Sequence, residues 1–141
     1  MQIEPRTVLL AYLITAGVFF MIDLFWLGVV AKGFYARHVG ALLREGVNWT
    51  AAVLFYLIFI AGIQVFVLAP AISTGAGIPA TAIKGGLLGL FAYATFDLTA
   101  LALLRQWSVT VTVVDMLWGT LLTACTSAIA LFVVRVLVLR V

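Results

Sequence analysis

Three aspartates interrupt the apolar stretches of this 141-residue chain. Asp23, Asp97 and Asp115 each stand in a run that contains no other charged residue. Such carboxylates can exchange protons, bind a cation or accept hydrogen bonds from the polar head of an amphiphile. On insertion scales, each costs at least about 2.5–3.5 kcal/mol inside a membrane. The three acids should therefore face one another or a polar interior, and not lipid.

The composition indicates a membrane protein. The sequence is 66% hydrophobic and 9% charged, whereas a soluble domain carries about a quarter charged residues. Its few charged side chains could not cover the surface of a water-soluble fold. The basic residues stand at the ends of apolar runs and not in one patch, so membrane lipids are the expected partners and nucleic acid is not. A single cysteine, Cys125, excludes an internal disulfide.

Four segments are long enough to cross a bilayer as helices, which takes about 20 apolar residues. They are residues 7–31, 49–72, 85–104 and 108–134. Open sheet edges have no partners in lipid, so the segments should be helical. The predicted fold is all-α, a four-transmembrane-helix bundle that forms a single integral membrane domain over residues 1–141. The first segment contains Asp23 and lacks a small-x-small cleavage site, so we expect a retained helix and not a leader.

The connections between the segments differ in character. Residues 32–46 mix basic and apolar residues and predict either a short interfacial helix between helices 1 and 2 or a plain polar loop. The apolar face of that helix would comprise Phe34, Val39, Leu42 and Leu43. Residues 70–82 contain two prolines and two glycines and predict a turn region. Residues 105–107 are short enough to make the last two helices an antiparallel hairpin.

The distribution of Lys and Arg residues does not predict on which side of the membrane the termini lie. With four spans, both termini share a side with the second connection. Four basic residues lie on that side and four on the other, so the positive-inside rule gives no direction.

Each span brings one polar residue to the same depth. These residues stand seven to nine positions from the residue that bounds their span on the side of the first connection. At about 1.5 Å per residue, all lie about 10–13 Å below one membrane surface. They are Asp23, Tyr56, Asp97 and Asp115.

Helix periodicity adds aromatic neighbours to this layer. Trp26 follows Asp23 by three positions, and Tyr93 precedes Asp97 by four, so its phenol is expected to lean towards that carboxylate. Trp26 and Trp118 are expected to form walls of the layer. The predicted polar layer, a candidate ligand- or ion-binding site, comprises Asp23, Trp26, Tyr56, Tyr93, Asp97, Asp115 and Trp118.

Small residues predict where two helices approach closely. In the fourth span, Asp115 is followed at every fourth position by Gly119, Thr123 and Ser127. Gly85 and Gly89 form a GxxxG pattern in the third span. Such faces allow neighbouring helices to pack backbone to backbone.

Other chemistry is not indicated by the sequence. His38 is the only histidine, so no transition-metal site is expected. The sequence has no Gly-rich phosphate loop and no serine in a nucleophile-elbow context, and it calls for no cofactor. Catalytic residues are therefore not assigned, and whether the protein is an enzyme stays open.

Several short motifs stand along the four spans and can be recognised in combination. They are Asp23-Leu-Phe-Trp26-Leu-Gly28, Phe55-Tyr56, Pro70-Ala71, Tyr93-Ala-Thr-Phe-Asp97-Leu-Thr99 and Asp115-Met-Leu-Trp118-Gly119. Together they resemble the DUF2177 family of bacterial membrane proteins. The resemblance implies a four-helix protein of the bacterial inner membrane, and because the family is one of unknown function, it implies no activity. Around the third-span acid the family pattern usually reads Tyr-Asp-Leu-Thr-Asn, and this chain has Phe96 and Ala100 at the Tyr and Asn positions.

Three functional hypotheses remain open from the sequence. The polar layer would bind or transport a proton, a cation or a small lipid-like ligand. Alternatively, the acids only pair helices in a structural or accessory membrane subunit. In the third hypothesis, a membrane-embedded enzyme uses one aspartate as acid or base on a lipid-soluble substrate. The small interior of a lone bundle is compatible with self-association or a membrane-protein partner.

Overall fold

The computed structural model describes residues 4–140, which form a helical bundle without β-strands. Overall, 86% of the structure is helical. Four helices are long and apolar enough to cross a membrane: α1 (Pro5–Val30), α3 (Trp49–Thr74), α4 (Ile78–Leu103) and α5 (Val109–Leu139). A short helix, α2 (Phe34–Val39), lies between α1 and α3. The predicted all-α fold with four spans is confirmed.

Three of the long helices change to π-helical hydrogen bonding along their length. The π-helical stretches are Trp26–Val30 at the end of α1, Gln64–Leu68 within α3, and Arg135–Leu139 at the end of α5. The stretch in α3 precedes Pro70, which has no N–H to donate to the preceding turn. A π-helical turn re-routes the local hydrogen bonds, so the helix continues through the proline to Thr74.

The second connection is therefore much shorter than the sequence predicted. The interpretation of residues 70–82 as a turn region is wrong, because only residues 75–77 join α3 to α4. Gly75 ends α3 in the left-handed conformation, with φ of 68°. Pro79 stands in the first turn of α4, where a missing N–H costs no helical hydrogen bond, so α4 begins at Ile78 and not at Gly85.

The first connection contains a short helix. Gly33, with φ of 79°, reverses the chain after α1, and α2 is followed by a 3₁₀ turn at Gly40–Leu42. Val39 is buried, whereas Leu42 and Leu43 are exposed. Of the two alternatives for this connection, the structure contains the helix.

The third and fourth spans pack as the small residues predict. Helices α4 and α5 share the most extensive contact in the bundle. A side chain at Gly85 would overlap Ser127, and one at Gly89 would overlap the carbonyl oxygen of Gly119. The two glycines therefore allow the backbones to meet, and the predicted close approach is confirmed.

Candidate functional site

The four residues that the sequence assigned to the polar layer, one from each span, lie at one depth in the bundle. Asp23 and Tyr56 stand seven residues from the ends of α1 and α3 on the side of the first connection, and Asp97 and Asp115 stand six from the ends of α4 and α5. These separations correspond to about 9–11 Å along each helix. The three aspartates are buried within the protein. Each helix thus contributes to a polar layer on this side of the bundle.

Asp23 lies in a hydrogen-bond network that joins three helices. The Tyr56 hydroxyl of α3 donates to Oδ2 of Asp23 at 2.9 Å. The Trp118 indole Nε1 of α5 donates to Oδ1 at 3.4 Å. Phe19, one turn away on α1, packs edge-on against the Tyr56 ring. Both carboxylate oxygens of Asp23 therefore have neutral partners that fix its position.

Asp115 belongs to a second network, which includes the first connection. The Tyr35 hydroxyl of α2 donates to Oδ1 of Asp115 at 2.7 Å. The Trp26 indole Nε1 in turn donates to the Tyr35 hydroxyl at 3.2 Å. The indoles of Trp26 and Trp118 stack with ring centroids 4.3 Å apart and an interplanar angle of 11°. This stack links the two networks side by side.

Tyr35 is a residue that sequence reasoning missed. It lies outside the four spans, on the short helix that folds back over the end of the bundle. Burial, and next the hydrogen bond to Asp115, raise the pKa of Tyr35 above its ordinary value of 10.0, so the phenol stays protonated and donates at neutral pH. The only sequence signal is its place beside Phe34 on the predicted apolar helix.

Asp97 differs from the other two aspartates. Its side chain is 0% exposed, yet neither carboxylate oxygen has a hydrogen-bond partner among residues 4–140. The expectation that Tyr93 leans towards it is wrong. The Tyr93 ring packs instead onto Gly119 of α5, where the missing Cβ leaves room for it. Phe96 and Ala100, the apolar neighbours noted in the sequence, offer Asp97 no side-chain hydrogen bond.

Asp97 lines a cavity of about 340 Å³ that also reaches Asp115. We call it the lipid-side cavity; its lining residues are Phe55, Ala92, Tyr93, Phe96, Asp97 and Asp115. Phe55 and Phe96 are 48% and 61% exposed on the apolar outer surface of the bundle. The mouth therefore opens sideways, where acyl chains lie. A larger groove of about 660 Å³ runs along the outside of α4, but no acid lines it.

The cavity exists because α3 and α4 diverge. The two helices meet mainly at the π-helical stretch Gln64–Leu68, in the second half of α3. Towards the first connection their contacts become sparse, and Phe59 meets Tyr93 only edge-on, with centroids 6.3 Å apart. The opening between them lies at the depth of Asp97.

The aspartates are not arranged to hold a metal ion. Within the described part of the chain, no three His, Cys, Asp or Glu side chains converge on one point. Asp23 faces Tyr56 and Trp118, whereas Asp97 and Asp115 share the cavity. The layer thus contains two hydrogen-bonded carboxylates and a third, that of Asp97, which is buried without a hydrogen-bond partner among residues 4–140.

The family model described as "Predicted membrane protein (DUF2177)" matches residues 8–132. The chain belongs to the DUF2177 family. No curated protein and no solved structure matches it. This DUF2177 protein is accordingly a multi-pass membrane protein with four spans.

Five of the seven predicted layer residues of this DUF2177 protein enter the two networks: Asp23, Tyr56 and Trp118 in one, and Asp115 and Trp26 in the other. The remaining two, Tyr93 and Asp97, line the lipid-side cavity. Trp26 and Trp118, the expected walls of the layer, stack on each other between the two networks. The aromatic residues that line the cavity are Phe55, Tyr93 and Phe96, and the prediction left Phe55 and Phe96 out of the site.

Tyr35→Phe tests the role of α2 in this DUF2177 protein. The substitution removes the donor to Asp115 and the acceptor of Trp26 and keeps the ring. We expect hydrogen exchange of the Phe34–Val39 amides to accelerate about 5- to 30-fold, because the lost hydrogen bonds contribute about 1–2 kcal/mol. Tyr12→Phe is the matched control, since the Tyr12 hydroxyl of α1 donates to the backbone carbonyl of Leu57 in α3 and not to a residue of α2 or α5. Unchanged hydrogen exchange of the α2 amides would show that the Tyr35 hydroxyl does not hold α2 against the bundle.

Proposed function

We propose that this protein binds the polar head of a membrane-soluble amphiphile in the lipid-side cavity, with Asp97 as the main polar contact. The observation that carries the proposal is the Asp97 carboxylate, fully buried with both oxygens unpartnered among the described residues, at the wall of a cavity that faces lipid. Buried polar groups without a partner are rare and costly. A bound ligand would supply the missing partner.

The surroundings of Asp97 favour a lipid-like ligand over an aqueous solute. Most of the lining is apolar, and the mouth lies between Phe55 and Phe96 on the outer surface. Pockets that bind small molecules typically combine apolar walls with a few polar groups. A molecule entering from the bilayer would place its chain among the phenylalanines and its head at Asp97 and Asp115.

The structural alternative accounts for only part of the layer. Asp23 and Asp115 are held by neutral donors from other helices, which suits a helix-pairing role. Asp97 makes no such bond in residues 4–140. We therefore assign helix pairing to Asp23 and Asp115. Ligand binding is assigned to Asp97 and to the part of Asp115 that lines the cavity.

The lateral opening also supports a second candidate, an enzyme acting on a lipid-soluble substrate. An acid at the floor of a cleft open to lipid is the arrangement that such an enzyme needs, with Asp97 as acid or base. Release of a chemically altered amphiphile would distinguish this candidate from binding alone. Transport requires a second opening, so the proposal is limited to binding.

We further propose that the membrane is the bacterial inner membrane. The spans are all helical, which is the usual architecture there, whereas spanning proteins of the bacterial outer membrane are typically β-barrels. Fractionation of cells that produce the tagged protein tests this location, and recovery with outer-membrane markers would contradict it.

Native mass spectrometry of the full chain, released from lipid nanodiscs, tests the binding proposal. We expect wild type to retain one amphiphile-sized mass per chain. Ala92→Phe, which fills the cavity, and Asp97→Asn should each reduce the occupied fraction at least fivefold while the bundle stays folded. Asp115→Asn is expected to have a similar effect on occupancy.

Glu45→Gln is the matched control, because it removes an exposed carboxylate outside the cavity. It should bind like wild type. Equal occupancy in wild type, Ala92→Phe and Asp97→Asn would refute binding in the cavity. If Asp97→Asn and Asp115→Asn instead prevented assembly in detergent, the structural reading of the acids would replace it.

A further inference from the structure

We infer that the head group bound in the lipid-side cavity is an organic cation, either a protonated aliphatic amine or a quaternary ammonium. The inference rests on the proposed binding function and adds the chemical class of the ligand. Three features carry it: two carboxylates without a cationic partner, an aromatic wall, and a cavity too large and too apolar for a metal ion.

The first feature is the lack of a cationic partner for the two carboxyl groups. Asp97 has no partner among residues 4–140, and the hydrogen-bond partner of Asp115 is the neutral phenol of Tyr35. The basic residues near this side, such as Arg37 and Arg105, are exposed and donate no hydrogen bond to either aspartate. An acid inside a membrane normally pairs with a cation or lines a pathway. A cationic ligand would supply that pairing.

The second feature is the aromatic wall. Phe55, Tyr93 and Phe96 line the cavity beside the two aspartates. The face of an aromatic ring attracts an ammonium group, and rings combined with carboxylates recognise alkylammonium ions. A neutral hydroxyl head would donate a hydrogen bond to a carboxylate but would gain much less from the rings.

The third feature is size. An inorganic cation would need several oxygen ligands within about 2.0–2.6 Å, and no triad of acidic, His or Cys side chains converges among the described residues. The cavity of about 340 Å³ instead accommodates a head group and the first carbons of a chain. The lateral mouth leaves the remainder of the chain in the bilayer.

Photolabelling with two matched probes tests the inference. Both probes carry a twelve-carbon chain with a diazirine next to the head, and the heads are a primary amine and a hydroxyl. The full chain in nanodiscs is irradiated with each probe at pH 7, and adducts are mapped by peptide mass spectrometry. In wild type we expect adducts around Phe55 and residues 92–97, with the amine probe at least tenfold more efficient than the alcohol.

Variants separate charge recognition from partition into the bilayer. Asp97→Asn should reduce the amine-to-alcohol ratio at least fivefold, and Glu45→Gln should keep the wild-type ratio. Phe96→Leu preserves both acids and removes a ring, so it should reduce the ratio about two- to fivefold even if Asp97→Asn misfolds.

The outcomes distinguish the two proposals. Equal cavity labelling by both probes, or an amine preference that survives both Asp97→Asn and Phe96→Leu, would overturn the cationic head group and leave amphiphile binding in place. Absence of cavity adducts with either probe would overturn both proposals.

Discussion

Replacing Asp97 by leucine is expected to stabilise the purified bundle. The two buried oxygens of Asp97 have no partner within residues 4–140, and such a group costs about 1–3 kcal/mol. Leucine removes this cost, and the adjacent cavity has room for its larger side chain. We expect the free energy of unfolding to rise by about 1–3 kcal/mol. Groups kept for binding are commonly retained at a cost in stability.

The same substitution at Asp23 is expected to have the opposite sign. Asp23→Leu would leave the Tyr56 hydroxyl and the Trp118 indole N–H without their acceptor. Each of the two orphaned donors costs about 1–3 kcal/mol, so the free energy of unfolding should fall by about 2–6 kcal/mol. Unfolding of all three proteins in identical mixed micelles measures both changes. A loss of stability in both variants would make Asp97 a helix-pairing residue like Asp23.

The second large effect is expected at Gly89. An alanine there would place its Cβ against the carbonyl oxygen of Gly119 and the hydroxyl of Thr123. Since the first of these is backbone, α4 and α5 would have to separate. We expect Gly89→Ala to lower the free energy of unfolding by about 2–3 kcal/mol, as overpacking does.

Gly86→Ala is the matched control for this effect. It lies on the same helix and is also buried, but a Cβ there would lie 3.5–3.6 Å from its nearest neighbours in Ala124 and Thr120, which is ordinary van der Waals contact. Alanine also favours the helix over glycine by about 1 kcal/mol. We therefore expect no loss of stability from Gly86→Ala. Equal effects at both positions would show that α4 and α5 are not packed backbone to backbone.

The depth of the layer could be read from the sequence because a helix has a constant rise. Counting from the ends of the spans was enough to bring Asp23 and Tyr56 to one level, and they are hydrogen-bonded. The period of small residues likewise located the α4–α5 contact. Both inferences depend on properties of a single helix or of one facing pair.

The direction in which a side chain points depends on the neighbouring helices, so it could not be predicted from the spacing of residues within one helix. The spacing of Tyr93 and Asp97 puts them on one face, but the space above Gly119 decides where the Tyr93 ring lies. Tyr35 reaches Asp115 only because the chain reverses at Gly33. Neither contact has a periodic signal in the sequence.

The position of the cavity follows from the way α3 packs against α4. Its opening depends on the contact of α3 with α4 at Gln64–Leu68, where the hydrogen bonding is π-helical. Pro70 indicates an interruption of the helix, and the sequence alone predicted that the second span ends close to this residue. In the structure, α3 instead continues through Pro70 to Thr74 with an internal π-helical stretch.

An experimental density map of the full chain, purified with lipids from its host membrane, tests the central claim most directly. The account predicts non-protein density in the lipid-side cavity within about 3.2 Å of an Asp97 carboxylate oxygen, with a tail passing between Phe55 and Phe96. An Asp97 carboxylate bonded to another side chain, with the cavity closed by contact between α3 and α4, would contradict it.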